Sequence, residues 1–268
     1  FSRVLAGPLC TMTLADLGAR VIKVERPGTG DDTRAWGPPY SETGATYFES
    51  VNRNKESVCL DLQDEDGREL ARELALRADV VVENFKPGGM AKLGLGYEEI
   101  SRENPGGVYV SVSGFGTAEG AHLAGYDFLV QAVGGLMSIT GAADGEPTKV
   151  GVALVDVLTA KDATIGALAA LEARRRTGRG AHIGTASFMV SPAARGRGVG
   201  RALAEEMIAW HRSQGYAGIQ FNAVVQSNTA AVRLWQSLGF QIIGTVPGAF
   251  QSPTHGYVGL HVMFLDLG

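Results

Sequence analysis

The chain has 268 residues, 45% of them hydrophobic and 19% charged, which suits one large or two small globular domains and excludes a fibrous repeat or a disordered tail. Twenty-four Lys and Arg against 28 Asp and Glu give a net charge of -4, so the basic surface of a nucleic-acid binder is missing and neither DNA nor RNA is an expected partner. Two cysteines without a CxxC pair or a metal-ligand cluster, and no apolar run near the roughly 20 residues of a membrane span, lead to the expectation of a cytoplasmic protein with no metal and no membrane partner.

In chain order, Phe1 to Pro8 reads as a strand and turn, and because residue 1 is Phe the natural start is expected upstream. A helical stretch ends at Leu17-Gly18, and Val21 to Glu25 follows as a β-branched strand. Ser57 to Leu62 is a second strand, and the helix Glu65 to Arg77 places Leu70, Ala71 and Leu74 on one face. Asp79 to Glu83 and Gly107 to Val112 are the next strands, and a long helix runs from about Val157 to Arg176, stopped by Gly178 and Gly180. Strands alternating with helices predict an α/β class, a Rossmann-like parallel sheet with flanking helices.

Beyond about residue 183 the texture changes. Strands are predicted at Thr185 to Val190, Gly218 to Val224, Phe240 to Val246 and Tyr257 to Phe264, with helices at Gly198 to Gln214 and Ser227 to Leu238. Five Arg and no Lys stand against three acidic residues from 184 onward, reversing the acidic balance upstream. Two domains are expected, 1–183 and 184–268.

Seven short motifs occur in order in the first part: Ala6-Gly7-Pro8, Asp31 to Arg34, Asn52 to Lys55, Val82 to Gly88, Gly125-Tyr126-Asp127, Lys149 to Asp156, and Arg176 to Gly180. Together they resemble the family III CoA-transferases, the group that includes formyl-CoA transferase and α-methylacyl-CoA racemase. The resemblance implies CoA transfer between carboxylic acids, with Asp156 as the nucleophile that forms an acyl anhydride, expels CoA thiolate and is later recaptured by it. At the start of the long helix the positive end of the dipole is expected to keep Asp156 ionised, although such a position also suits a plain N-cap. The racemase branch needs a histidine where this chain has Tyr126, and a phenol of pKa about 10 is a poor base, which favours the transferase. For CoA, the resemblance implies Arg34, Arg53 and Lys55 near the phosphates, Asn84 and Phe85 around the adenine, and Tyr126 and Asp127 lining the acyl pocket. A solvated loop for Arg53 and Lys55, a core place for Phe85 and a packed helix start for Tyr126 and Asp127 are the plain alternatives. A homodimer is one expectation, but the interlocking typical of the family rests on a smaller domain that this sequence does not contain.

In the second part, Val190 to Arg201 looks like the acetyl-CoA signature of the GNAT N-acetyltransferases, and Asn228 to Phe240 resembles a later helix and turn of that family, in register. Glycines between a strand and a helix let backbone N–H groups approach a pyrophosphate. The resemblance implies a partial GNAT module in which Met189 and Val190 pair with pantetheine. Arg195, Gly196, Gly198, Gly200 and Arg201 would hold the pyrophosphate, and Asn228 would contact acetyl-CoA while an amine accepts the acetyl group. Trp235 stands where many members have a tyrosine acid and is expected to pack; His211, His255 and His261 are expected to be structural or surface residues. The expected whole is a CoA-thioester-handling protein, with acyl-CoA and a carboxylic acid or amine as small-molecule partners. A GNAT acetyltransferase, or a non-catalytic chimera joined near Ile183, remains the alternative.

Overall fold

A computed structural model describes residues 1–117, 119–142, 144–185, 199–213, 215–252 and 255–268. The chain divides into two compact units, Phe1–Met189 and Val190–Gly268. In the first, α1 (Ala6–Asp16) leads into β1 (Val21–Glu25), followed by α2 (Thr46–Ser50), β2 (Lys55–Cys59), α3 (Glu65–Arg77), β3 (Val80–Glu83), α4 (Gly89–Lys92) and α5 (Tyr97–Glu103). Then come β4 (Val108–Val112), α6 (Asp127–Val133), α7 (Leu154–Thr177) and β5 (His182–Thr185). Strands β1 and β2 pair in parallel, and β3, β4 and β5 form a second parallel sheet in that order. The unit is α/β, with helices flanking parallel sheets, as the alternating pattern predicts.

Helix α3 forms where expected because Asp64 caps it, accepting from the Gly67 N–H at 3.2 Å, with Glu65 and Asp66 in the first turn and Arg77 in the last. Phe1 to Pro8 departs from expectation: the helix already begins at Ala6, and Pro8 sits in its first turn, where its missing N–H disrupts nothing. Strand β5 extends to Thr185 and pairs with β4, so the first unit continues past residue 183; the remainder of the strand expected up to Val190 lies outside the described residues.

The main core lies between β3–β4, α1 and α7. Helix α7 buries a small-residue stripe, Ala160, Ala163, Thr164, Ala167 and Ala170, while Leu158, Ile165 and Leu168 face outward. Small side chains let α1 approach closely enough for Thr164 and the Cys10 carbonyl to meet. A second anchor is ionic. On β1, Lys23 pairs with Asp31 at 2.7 Å with both side chains nearly solvent-free, while the Glu25 carboxylate accepts from Arg34 Nε and Nη2 at 2.9 and 2.7 Å and from Ser57 Oγ on β2 at 2.6 Å. Burial by itself would raise the Glu25 carboxyl, but Arg34, Ser57 and the Asp31 N–H outweigh it and bring it down to about 2.

The second unit contains α8 (Val199–Ser213), β6 (Gly218–Val225), α9 (Thr229–Ser237), β7 (Gln241–Ser252) and β8 (Gly256–Asp266). Its sheet is antiparallel in the order β6-β8-β7, and its core gathers Ile208, Ile219, Val224, Phe240, Met263 and Leu265. Trp235 packs against Phe221 and Phe240 with ring centroids 4.4 and 5.3 Å apart, as a packing residue should.

Two stability predictions follow from these anchors. Ala163→Leu adds volume where the exposure is zero and is expected to destabilise the first unit by about 1–3 kcal/mol in urea titrations monitored by tryptophan fluorescence. Glu25 ionises at about 2 in the fold against an ordinary 4.5, so the unfolded chain binds more protons between those values. The stability it contributes is complete above pH 4.5 and is lost as the pH falls toward 2; Glu25→Gln should flatten the acid dependence of the urea midpoint in that window.

Candidate functional site

Asp156 lies in the first turn of α7, whose N-cap, Ala153, offers no side-chain cap. The cap comes from a distant residue: Asp127 Oδ1 accepts from the N–H of Val155 at 2.7 Å and of Asp156 at 3.2 Å. Asp127 Oδ2 accepts from Gln131 Nε2 at 2.6 Å. Gln131 is 1% exposed, and its Nε2 also donates to the Val152 carbonyl at 3.2 Å while its Oε1 accepts from the Val150 N–H at 2.9 Å. The segment entering α7 and the carboxylate capping it are therefore tied to the same amide.

The Asp156 side chain is half-buried, and burial, followed by the Asp127 charge, raises its carboxyl to about 6. The helix field expected to keep Asp156 ionised is opposed by desolvation and by the like charge of Asp127. Near neutral pH the carboxylate still predominates, with greater basicity than an exposed aspartate. Tyr47 on α2 lies within reach of the same charges; burial first, then Asp156 and Asp127, push its phenol up, so it stays a proton donor. Its ring meets Trp36 edge-on at 5.4 Å, and both line an open depression of about 700 Å³ together with Gly37, Pro38, Pro39 and Thr46.

The loop carrying Tyr126 and Asp127 is positioned by two glycines in backbone contact. A Cβ on Gly114 would lie 2.3 Å from Gly125 Cα, and one on Gly125 would lie 2.8 Å from Gly114 N. Tyr126 precedes α6 and is 58% exposed. Asp127, expected to line an acyl pocket, instead has both carboxylate oxygens engaged by the protein.

The residues expected around CoA are also mostly committed. All three N–H groups of Lys55 have protein acceptors, the carbonyls of Pro8 and Val51 and Asn52 Oδ1, at 2.8 to 2.9 Å, and burial lowers its ammonium to about 7. It ties β2 to α1, a role that leaves no donor for a phosphate. Asn84 exchanges hydrogen bonds with the backbone N–H and carbonyl of Arg3 at 3.0 and 2.7 Å, which uses both ends of its amide. Arg53 forks onto Asp16, and Arg34 onto Glu25 while lying 3.8 Å from the Phe48 ring centroid. The Arg53 and Arg34 side chains stay partly exposed, as does Phe85, which packs over Gly89.

Of the residues expected around acetyl-CoA, Met189, Val190, Arg195, Gly196 and Gly198 lie outside the described residues, and Gly200 falls in the first turn of α8. Arg201 donates to Glu205 at 3.3 Å and to Ser237 on α9 at 2.6 Å, and Asn228 Oδ1 accepts from the Ala231 N–H at 3.1 Å as the cap of α9. His261 is buried and bonded to Thr245. Among the described residues no cluster of His, Cys, Asp and Glu is arranged to hold a metal ion, and no helix is long and apolar enough to cross a membrane.

Sequence reasoning missed Gln131 and Tyr47. Gln131 stands four residues after Asp127, one turn along a helix, and that spacing was its available signal.

Comparison with known proteins places this geometry in context. Mouse succinyl-CoA:glutarate CoA-transferase is 51% identical over 183 residues, covering 68% of this chain and 42% of the relative. A CAIB/BAIF family protein from Brucella suis superposes with a TM-score of 0.66 at 46% identity, covering 77% of this chain and 55% of that one. A GCN5-related N-acetyltransferase from Kribbella flavida aligns with 30% of this chain and 48% of its own at 69% identity, with a TM-score of 0.29, too low for a statement about fold. The chain thus spans less than half the length of the mouse relative. The model of CoA-transferase family III matches residues 1–218, running past the change of texture near residue 183, and the chain belongs to that family.

Proposed function

We propose that the first unit handles acyl-CoA thioesters and transfers CoA between carboxylic acids, with Asp156 as the nucleophile. The observation that carries the reading is a half-buried carboxylate of raised basicity at a helix N-terminus, its backbone fixed by Asp127. An Asp156 carboxylate oxygen attacks the thioester carbonyl; the C–S bond breaks, CoA leaves as thiolate, and an aspartyl-acyl anhydride remains. Thiolate attack on the aspartyl carbonyl then releases the first acid and leaves CoA on Asp156. The second carboxylate attacks that thioester carbonyl, the C–S bond breaks to expel CoA thiolate and leave a second aspartyl-acyl anhydride, and thiolate attack on the new acyl carbonyl forms the product thioester and releases the Asp156 carboxylate. Protonated Tyr47 is a donor suited to the developing oxyanion. The mouse relative's name pairs a succinyl-CoA donor with glutarate, which makes that pair the trial substrates.

A second reading applies to the second unit: an acetyl-CoA-binding GNAT module that passes acetyl directly to an amine. It is supported by the Arg195 to Arg201 glycine-arginine run, followed at the expected interval by Asn228 to Phe240. A non-catalytic CoA-binding protein is the outcome if neither route turns over.

Incubation with succinyl-CoA should give a hydroxylamine-sensitive adduct at Asp156, located by peptide mass spectrometry, with initial succinate release rising with pH through a midpoint near 6. Asp156→Asn should reduce release by roughly a thousandfold or more. For the second unit, calorimetry with acetyl-CoA should show saturable binding that Gly198→Glu weakens by roughly tenfold or more, because the GNAT resemblance assigns that glycine to the pyrophosphate and a carboxylate there would repel it. Binding indifferent to this substitution argues against the GNAT reading.

A further inference from the structure

We propose that Gln131 is a positioning residue for Asp156, acting through Asp127: its buried amide holds the Asp127 carboxylate against the first turn of α7, so that a fixed negative charge faces the Asp156 carboxyl. The inference rests on the reading of Asp156 as nucleophile. Four hydrogen bonds carry it. The amide donates to Asp127 Oδ2 and to the Val152 carbonyl and accepts from the Val150 N–H, while Asp127 Oδ1 receives the Asp156 N–H. Gln131 is almost fully enclosed, so water has little access to replace these partners. A neutral amide is suited to this place. It supplies the N–H that the carboxylate needs and the carbonyl that Val150 needs, without adding a charge that would cancel or double that of Asp127.

The titratable groups on the elements packed against α7 are few. Helix α6 contributes Asp127, and α1 contributes Cys10 and an Asp16 engaged by Arg53; β4 brings Tyr109 and β5 His182. Tyr47 comes from α2. Burial lifts the Tyr109 phenol, which donates to the Leu95 carbonyl, and burial lowers His182 to about 4. Asp127 is the charge that acts on Asp156, and Gln131 is the side chain that keeps it there.

The test is a titration of the whole chain labelled with aspartate carrying ¹³C at the carboxyl, the Asp156 resonance being assigned by its loss in Asp156→Asn. The wild-type midpoint is expected near 6. In Gln131→Leu the Asp127 carboxylate is released from the helix end, and the Asp156 midpoint should fall by roughly one pH unit. Acylation by succinyl-CoA should slow by roughly 10- to 100-fold as the nucleophile loses its alignment. Asp127→Asn, which keeps an oxygen for the helix N–H groups but removes the charge, should also lower the midpoint and marks the size of that charge's effect, while Gln131→Met, close in volume but without the amide, repeats the test if Gln131→Leu does not fold. A merely structural Gln131 would change the melting temperature and leave the midpoint in place. An unmoved midpoint in a folded Gln131→Leu, or in Gln131→Met if only that variant folds, overturns the proposal. Midpoints that move as expected without any Asp156 adduct in the wild type would instead overturn the nucleophile reading and leave the coupling standing.

Discussion

The contact on which the candidate site depends is between the Asp127 carboxylate and the exposed N–H groups of α7. A helix 24 residues long presents free donors at its first turn, and here no neighbouring side chain satisfies them. Asp127 does so from 28 and 29 residues upstream, which fixes α6 to α7 and sets the Asp156 backbone in one place. The same contact brings the Asp127 charge to bear on the Asp156 carboxyl. The compensation is local: the Gln131 amide and two backbone N–H groups stabilise one anion, and the other carboxyl bears the raised basicity.

The first unit spends most of its cations on itself. Arg53 and Lys55 join segments distant in sequence, Lys23 and Arg34 close the turn that follows β1, and the Lys23–Asp31 pair is sealed from solvent. A buried pair of this kind is fragile to the removal of one partner, since the survivor is left charged without compensation. The cations therefore act chiefly as ties between β1, β2, α1 and the turn at Asp32–Ala35.

Much of this architecture could be read from the chain, and the failures have physical causes. Helix α3 carries its own cap and charge gradient, and β1 its β-branched residues, so both were legible within one or two residues. Helix α7 starts at Leu154, three residues before the expected Val157, because the cap that commits its first turn to helix lies in another element. Its inner face is likewise decided by another element. Close approach by α1 selects alanines, whereas composition draws attention to Ile165 and Leu168, which face outward. Asp156 was legible as a candidate through motif order, but the engagement of Lys55, Asn84 and Arg53 was not, since Lys55 bonds back to Pro8, Asn84 to Arg3 and Arg53 to Asp16 across long stretches of chain.

The glycine pair beneath the Asp127 loop divides that loop into two kinds of position. Gly114 and Gly125 leave no room for even a methyl group, so the height of the loop above the sheet is invariant to drift at this point. The neighbouring Tyr126 is largely free of the scaffold and open to solvent. Replacement of that ring leaves the glycine contact and the seat of the neighbouring carboxylate untouched, so this one codon is open to change without disturbing the frame.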